Sequence, residues 1–121
     1  NDAHLWLQLV QAGAMAHPPI STPTVPSALD VGSVKCAALT LEEIAHLPSE
    51  FAHTALLAKR AGFGGVQIHA AHGFLLSQLL SPLFNKRDDH YGGSIGNRMR
   101  LIFEVLGAIR EHVGPSFPIG I

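Results

Sequence analysis

Cysteine is almost missing from this sequence: Cys36 stands alone, so no disulfide can close within the chain and a secreted disulfide-framework protein is excluded. Charge is scarce as well, 14% of residues against about 25% in an average soluble domain. Neither sign prevails. Lys plus Arg number 8 and Asp plus Glu 9, which leaves no basic field to hold nucleic acid or an anionic membrane. No apolar run nears the ~18 residues of a membrane span, and the N-terminus lacks the basic-then-apolar layout of a signal peptide. What is abundant is apolar surface, 47% of residues, which excludes a disordered tail, a collagen-like repeat and a charged coiled coil. A small-molecule partner in a reducing, cytoplasmic setting is the expectation, with self-association left open.

At 121 residues the chain has the length of one domain. It begins with Asn1 and stops at Ile121 inside a strand-like run, so residues 1–121 are expected to be a single partial domain from the middle of a longer protein. Residues 4–10, His-Leu-Trp-Leu-Gln-Leu-Val, read as a buried strand. Ala12 to Ala38 is proline-rich, shows neither a period of 2 nor one of 3.6, and reads as a long irregular connection of the kind that carries function.

Thr40 stands three residues before Glu43, the reciprocal pattern that satisfies the free N–H groups at a helix start. Ile44, Leu47, Phe51, Ala55 and Ala58 follow at helical spacing, with Gly62 as the stop. Pro48 lies inside this stretch and predicts a kink or a break, because it removes a backbone donor and crowds the preceding turn. Phe63–His69 reads as a second strand, Ala70–Leu80 as helical, and 83–94 as a charged loop with a Gly-Gly turn. Ser94 can cap a second long helix with Ile95, Met99, Ile102, Val105, Leu106, Ile109 and Val113 on its apolar face, closed by Gly114-Pro115. Phe117–Ile121 opens a third strand. Strands alternating with helical crossovers predict a parallel α/β sheet, either doubly wound or a barrel.

The densest chemical signal is His69-Ala70-Ala71-His72, two imidazoles directly after a strand, at the end where parallel α/β folds bind ligands. Two imidazoles whose N–H groups converge can hold one carbonyl oxygen and accept the negative charge that develops on it. The same pair could serve a metal, for which no third ligand stands nearby, or be two ordinary histidines in a chain that has eight. Gln8 interrupts an apolar strand, and its amide would suit a planar heterocycle with alternating carbonyl and N–H edges, or simply face water at the strand's edge. Lys86, Arg87, Arg98 and Arg100 suggest a phosphate site, but mixed with Asp88, Asp89 and Glu104 they fit an ion-paired structural loop better.

Ala61-Gly62-Phe63-Gly64-Gly65-Val66-Gln67-Ile68-His69-Ala70-Ala71-His72-Gly73-Phe74-Leu75-Leu76, followed by Gln78 and Leu80-Ser81-Pro82-Leu83, resembles the hallmark block of the Old Yellow Enzyme family of flavin-dependent ene-reductases. Asn85-Lys86-Arg87, Asp89, Tyr91-Gly92-Gly93-Ser94 and Asn97-Arg98-Met99-Arg100 extend the resemblance. Gln8-Leu9, Ala12-Gly13 and Val25-Pro26-Ser27-Ala28 carry it towards the N-terminus. It implies a TIM (β/α)8 barrel with FMN at its C-terminal mouth, of which this chain would supply the third strand (4–10), the fourth (65–69), the start of the fifth and the helices between them. It also implies an oxidoreductase that uses NADH or NADPH to reduce the flavin and passes hydride from flavin to an activated C=C bond of an enone or related compound. Carried over by position, Gln8 would bond the pyrimidine edge of the flavin, and His69 and His72 would hold the substrate's electron-withdrawing oxygen. No metal is implied.

The sequence departs from the family pattern where it matters for protonation: Phe74 stands where the family usually has a tyrosine that donates a proton to the substrate. Phe74 would therefore line the substrate without donating, and water or a residue outside this chain would protonate the product. Gln11, Ala14 and Gly96 replace a His, an Arg and a Glu common in the family. Two function classes follow: a segment of a working ene-reductase, or a truncated or degenerate relative without flavin chemistry. Strands cut from a barrel expose two unpaired edges, so the isolated chain is expected not to hold FMN tightly.

Overall fold

A computed structural model describes residues 3–121. Three strands form a parallel sheet, β1 (Trp6–Leu9), β5 (Gly65–Ile68) and β6 (Ile119–Gly120), in the order β1-β5-β6. The register sets Gln8 opposite Gln67 and Leu9 opposite Ile68, and Val66 opposite Ile119. All three strands are shorter than the apolar runs that foretell them. The crossovers are helical: α1 (Leu41–Arg60) joins β1 to β5, and α2 (Leu75–Leu80) with α3 (Ile95–Val113) joins β5 to β6. Both outer edges, those of β1 and β6, lack a strand partner among the described residues.

The connection before α1 is more ordered than its composition suggests. It contains a 3-10 turn at Gly13–Met15 and a second small sheet, in which β4 (Val34–Ala38) pairs in parallel with β2 (Thr24–Val25) and antiparallel with β3 (Leu29–Val31). Strands of two and three residues are too short for alternation to show in sequence. Cys36 is buried in this sheet.

Helix α1 starts as its sequence foretells. The Thr40 hydroxyl accepts from the Glu43 N–H at 3.1 Å, and the Glu43 carboxylate accepts from the Thr40 N–H at 2.7 Å. Of the kink or break expected at Pro48, the break does not occur: α1 is continuous from Leu41 to Arg60. Its cost of about 3 kcal/mol in a helix interior is offset by the flanking Leu47 and Phe51, both buried against the core. Ser94 caps α3 by accepting from the Asn97 N–H at 3.2 Å. Of the apolar face expected on α3, Ile102, Val105, Ile109 and Val113 are buried, whereas Ile95 at the first turn is 57% exposed and Leu101 takes a core position in its place.

One sheet face carries the core. Leu9, Val66 and Ile68 pack under Ile44, Leu47, Phe51 and Ala55 of α1 and Leu101, Val105 and Ile109 of α3. The opposite face is covered by no helix among the described residues and carries Trp6, Gln8 and Gln67, all exposed. There the Trp6 indole lies across two glycines: a Cβ at Gly65 would come within 2.7 Å of the ring, and one at Gly120 within 3.3 Å. Glycine at both positions leaves the strand surface bare enough for the ring. No helix among the described residues is long and apolar enough to cross a membrane.

Candidate functional site

The uncovered face rises along β5 from Gln67 to His69, two residues on and therefore on the same side of the strand. The His69 N–H donates to the Leu9 carbonyl at 2.8 Å, which continues the β1–β5 ladder past the last strand residue and fixes the backbone beneath the imidazole. The chain then turns sharply. The helix expected over Ala70–Leu80 occupies only Leu75–Leu80, because His72 and Gly73 both take left-handed backbone conformations, φ 56° and 77°. His72 is the one non-glycine residue with positive φ among those described.

That turn folds the second imidazole back over the first. His72 Nδ1 lies 3.3 Å from His69 Nε2, and the ring centroids are 5.0 Å apart at 70°. With both rings neutral, one of the facing nitrogens donates and the other accepts. An oxygen seated to one side of the pair, at hydrogen-bond distance from both nitrogens, takes an N–H from each once the accepting ring shifts its proton to the facing nitrogen. Among the described residues, no group of three His, Cys, Asp or Glu side chains converges as a metal site would require. Phe74 packs against this pair, its ring centroid 4.8 Å from that of His69.

Gln8 is not buried as its apolar neighbours suggest. It is exposed on the uncovered face, where its Nε2 donates to Oε1 of Gln67 at 2.9 Å. That bond uses one amide hydrogen and leaves Gln8 with a second N–H and a carbonyl oxygen that accepts no protein hydrogen bond among the described residues. A donor and an acceptor side by side complement a heterocycle edge of the form N–H next to C=O.

The cations of the 83–94 loop and the start of α3 are spent on the protein itself. Arg87 pairs with Asp89 at 2.6 Å and donates to the carbonyls of Pro26 (2.8 Å) and Leu39 (2.6 Å), tying the loop to the small sheet. Arg98 donates to the carbonyls of Leu80 and Gly93, Arg100 to that of His90, and Lys86 to that of Pro82. The loop is a structural brace, and no phosphate cradle forms there.

Two supporting residues escape a reading of the sequence by composition. Gln67 is hidden inside an apolar strand, and only its spacing of two from His69 marks it. Gln78 is 2% exposed within an apolar run; its Nε2 donates to the Gly73 carbonyl at 2.5 Å and its Oε1 accepts from the Ala14 N–H at 3.4 Å, pinning the histidine turn to the segment after β1.

The sequence and the fold both have counterparts among known proteins. The model of the NADH:flavin oxidoreductase / NADH oxidase family matches residues 1–121. A protein named metal reductase from Desulforamulus reducens is 46% identical over 98% of this chain and 18% of its own length. An NADPH dehydrogenase of Listeria welshimeri is 42% identical over 92% of this chain and 33% of its own. Among solved structures, morphinone reductase in complex with tetrahydroNAD superposes with a TM-score of 0.89 and 34% identity, covering 99% of this chain and 39% of that one. The old yellow enzyme homologue of Zymomonas mobilis gives 0.83 and 33% over 92% of this chain and 35% of that one. The chain thus spans well under half the length of these relatives, and its strands and helices form part of a TIM barrel wall. It belongs to the NADH:flavin oxidoreductase / NADH oxidase family, as the Old Yellow Enzyme block around His69 and His72 leads one to expect.

Proposed function

We propose that the protein carrying this chain is an FMN-dependent oxidoreductase that draws hydride from NADH or NADPH and delivers it to C=C bonds activated by a neighbouring electron-withdrawing group. The observation that carries this reading is the convergence of His69 Nε2 and His72 Nδ1 to 3.3 Å at the end of the strand whose Gln67 pairs with the exposed Gln8 amide. Flavin, when bound, supplies the hydride chemistry; the protein orients and polarises. His69 and His72 hold the substrate oxygen and take up its developing negative charge, at about 3 to 4 kcal/mol per donor in comparable oxyanion sites. Gln8 meets the pyrimidine edge of the flavin, and its free donor and acceptor fit that edge. Phe74 lines the substrate against the His69 ring and holds no proton to give, so protonation of the product falls to water or to a residue outside this chain.

Phe74 also favours a second reading, a relative that has lost flavin chemistry and binds at most a ligand or another polypeptide. A native mass spectrum of the protein as its own cells make it separates the two. A mass several times that of this chain with FMN attached, together with NAD(P)H-dependent enone reduction, supports the ene-reductase. A flavin-free species near 12.9 kDa overturns it.

A further inference from the structure

We infer that Gln67 is a positioning residue for the cofactor edge, restraining the Gln8 amide so that it presents a carbonyl oxygen and one N–H together. This rests on the reading of Gln8 as a flavin contact given above. A glutamine on an uncovered sheet face has three free side-chain torsions, and its two amide ends are nearly isosteric, so an unrestrained Gln8 would sample many positions and both orientations. Only some of them match an edge that offers N–H and C=O side by side.

The sheet register supplies the restraint. Gln8 and Gln67 face each other across the β1–β5 ladder, and the 2.9 Å bond from Gln8 Nε2 to Gln67 Oε1 couples the two side chains. Gln67 is itself held at its stem. It sits on the central strand, its Cγ 3.8 Å from where a Cβ at Gly120 would lie, with the Trp6 indole covering that same glycine. The bare backbone of Gly120 therefore makes room for both the indole and the Gln67 stem, and the indole closes the side of the pair towards the N-terminal ends of the strands. His69 lies two residues beyond Gln67 on the same strand direction, the side on which a ligand held by the histidines would lie.

The test is a double-substitution cycle on FMN affinity, measured by flavin fluorescence on deflavinated full-length protein for Gln8→Met, Gln67→Met, Gln67→Glu and Gln8→Met/Gln67→Met. Gln67→Met is expected to weaken FMN binding about 5- to 10-fold when Gln8 is present and to have no effect when Gln8 is already Met. Gln67→Glu, whose carboxylate can only accept, keeps the Gln8 amide the same way round and stays within about 3-fold of the unsubstituted protein. Equal loss in both Gln8 backgrounds makes Gln67 a purely structural residue and overturns the inference. So does loss in Gln8→Met with none in Gln67→Met. FMN affinity unchanged by Gln8→Met removes the reading of Gln8 itself, and the inference with it. If Gln67→Met fails to fold, Gln67→Glu decides through its affinity: a loss as large as that of Gln8→Met overturns the inference, and near-native affinity supports it.

Discussion

His72 takes a left-handed backbone at φ 56° and by doing so brings its Nδ1 within 3.3 Å of Nε2 of His69. A non-glycine residue there costs about 1–2 kcal/mol, except that Asn adopts this region more readily than most side chains. Asn also keeps an N–H donor close to the position of Nδ1. His72→Asn is therefore expected to keep enone reduction within about 10-fold of the unsubstituted protein, while His72→Ala, with the same backbone strain and no donor, loses roughly 10²–10³-fold. Steady-state kinetics with an enone substrate checks both, and equal losses in the two variants would show that the donor is not what matters.

The turn that carries His72 is held from beneath. Gln78 is buried and donates to the Gly73 carbonyl at 2.5 Å. Gln78→Leu keeps the apolar packing but strands that carbonyl and the Ala14 N–H, at a cost of about 1–3 kcal/mol. Urea denaturation should show that loss in the midpoint. Gly13→Ala strikes the same place from the other side, since a Cβ there would lie 2.6 Å from Gln78 Oε1 at a backbone φ of 60°.

How much of this could be read from sequence differs from residue to residue, for physical reasons. Thr40 and Glu43 announce α1 because both halves of their capping box are local, and local interactions leave a fixed spacing in the chain. Pro48 does not break α1, because its penalty is local while the burial that offsets it is tertiary. The strands β2 to β4 are silent because two or three residues cannot show a period. His69 and His72 are visible as a pair, but the left-handed turn that brings their rings together leaves only Gly73 as a trace. Gln8 is legible as an interruption in an apolar strand, whereas its partner Gln67 is 59 residues away and can be assigned only from the register.

The α3 packing predicts a response at high pH. The Tyr91 hydroxyl donates to Glu104 Oε2 at 2.9 Å, and burial, followed by that bond, pushes its pKa up to about 12 from 10.0. A group whose folded value is raised contributes fully below its unfolded value, and its contribution is lost as pH rises from there through the folded value. Between pH 10 and 12 the protein should therefore lose stability through Tyr91. Tyr91→Phe is expected to cost about 0.5–1.5 kcal/mol at pH 7 and to flatten the stability profile over that alkaline window, as read by urea midpoints across pH.

At the acid end the brace of the 83–94 loop responds with the opposite sign. Hydrogen bonds from Arg87 hold the Asp89 carboxyl below its ordinary value of 3.8. A depressed folded value means that the stabilisation is present above the unfolded pKa and is lost as pH falls through the folded one. Acid titration below pH 3.8 should release Arg87 from Asp89 and loosen its hold on the Pro26 and Leu39 carbonyls. Asp89→Asn is expected to lower stability at neutral pH and to shallow the acid limb of the profile. An acid limb as steep as before would place the proton uptake at other groups.

Phe74 lies against His69 with ring centroids 4.8 Å apart, so a hydroxyl added at its para position would stand close to a substrate held by the two histidines. Phe74 is only half-buried. If water or a distant residue now protonates the product, turnover is limited by that slow proton, and a placed phenol should relieve the limit. General acids in place accelerate such steps by about 10²–10⁴-fold, of which roughly a tenfold gain is expected before hydride transfer becomes limiting. Phe74→Tyr in the full-length protein should raise the enone reduction rate and reduce its solvent deuterium isotope effect. An unchanged rate means that the proton already arrives by an efficient route, and that the phenyl ring serves to shape the pocket.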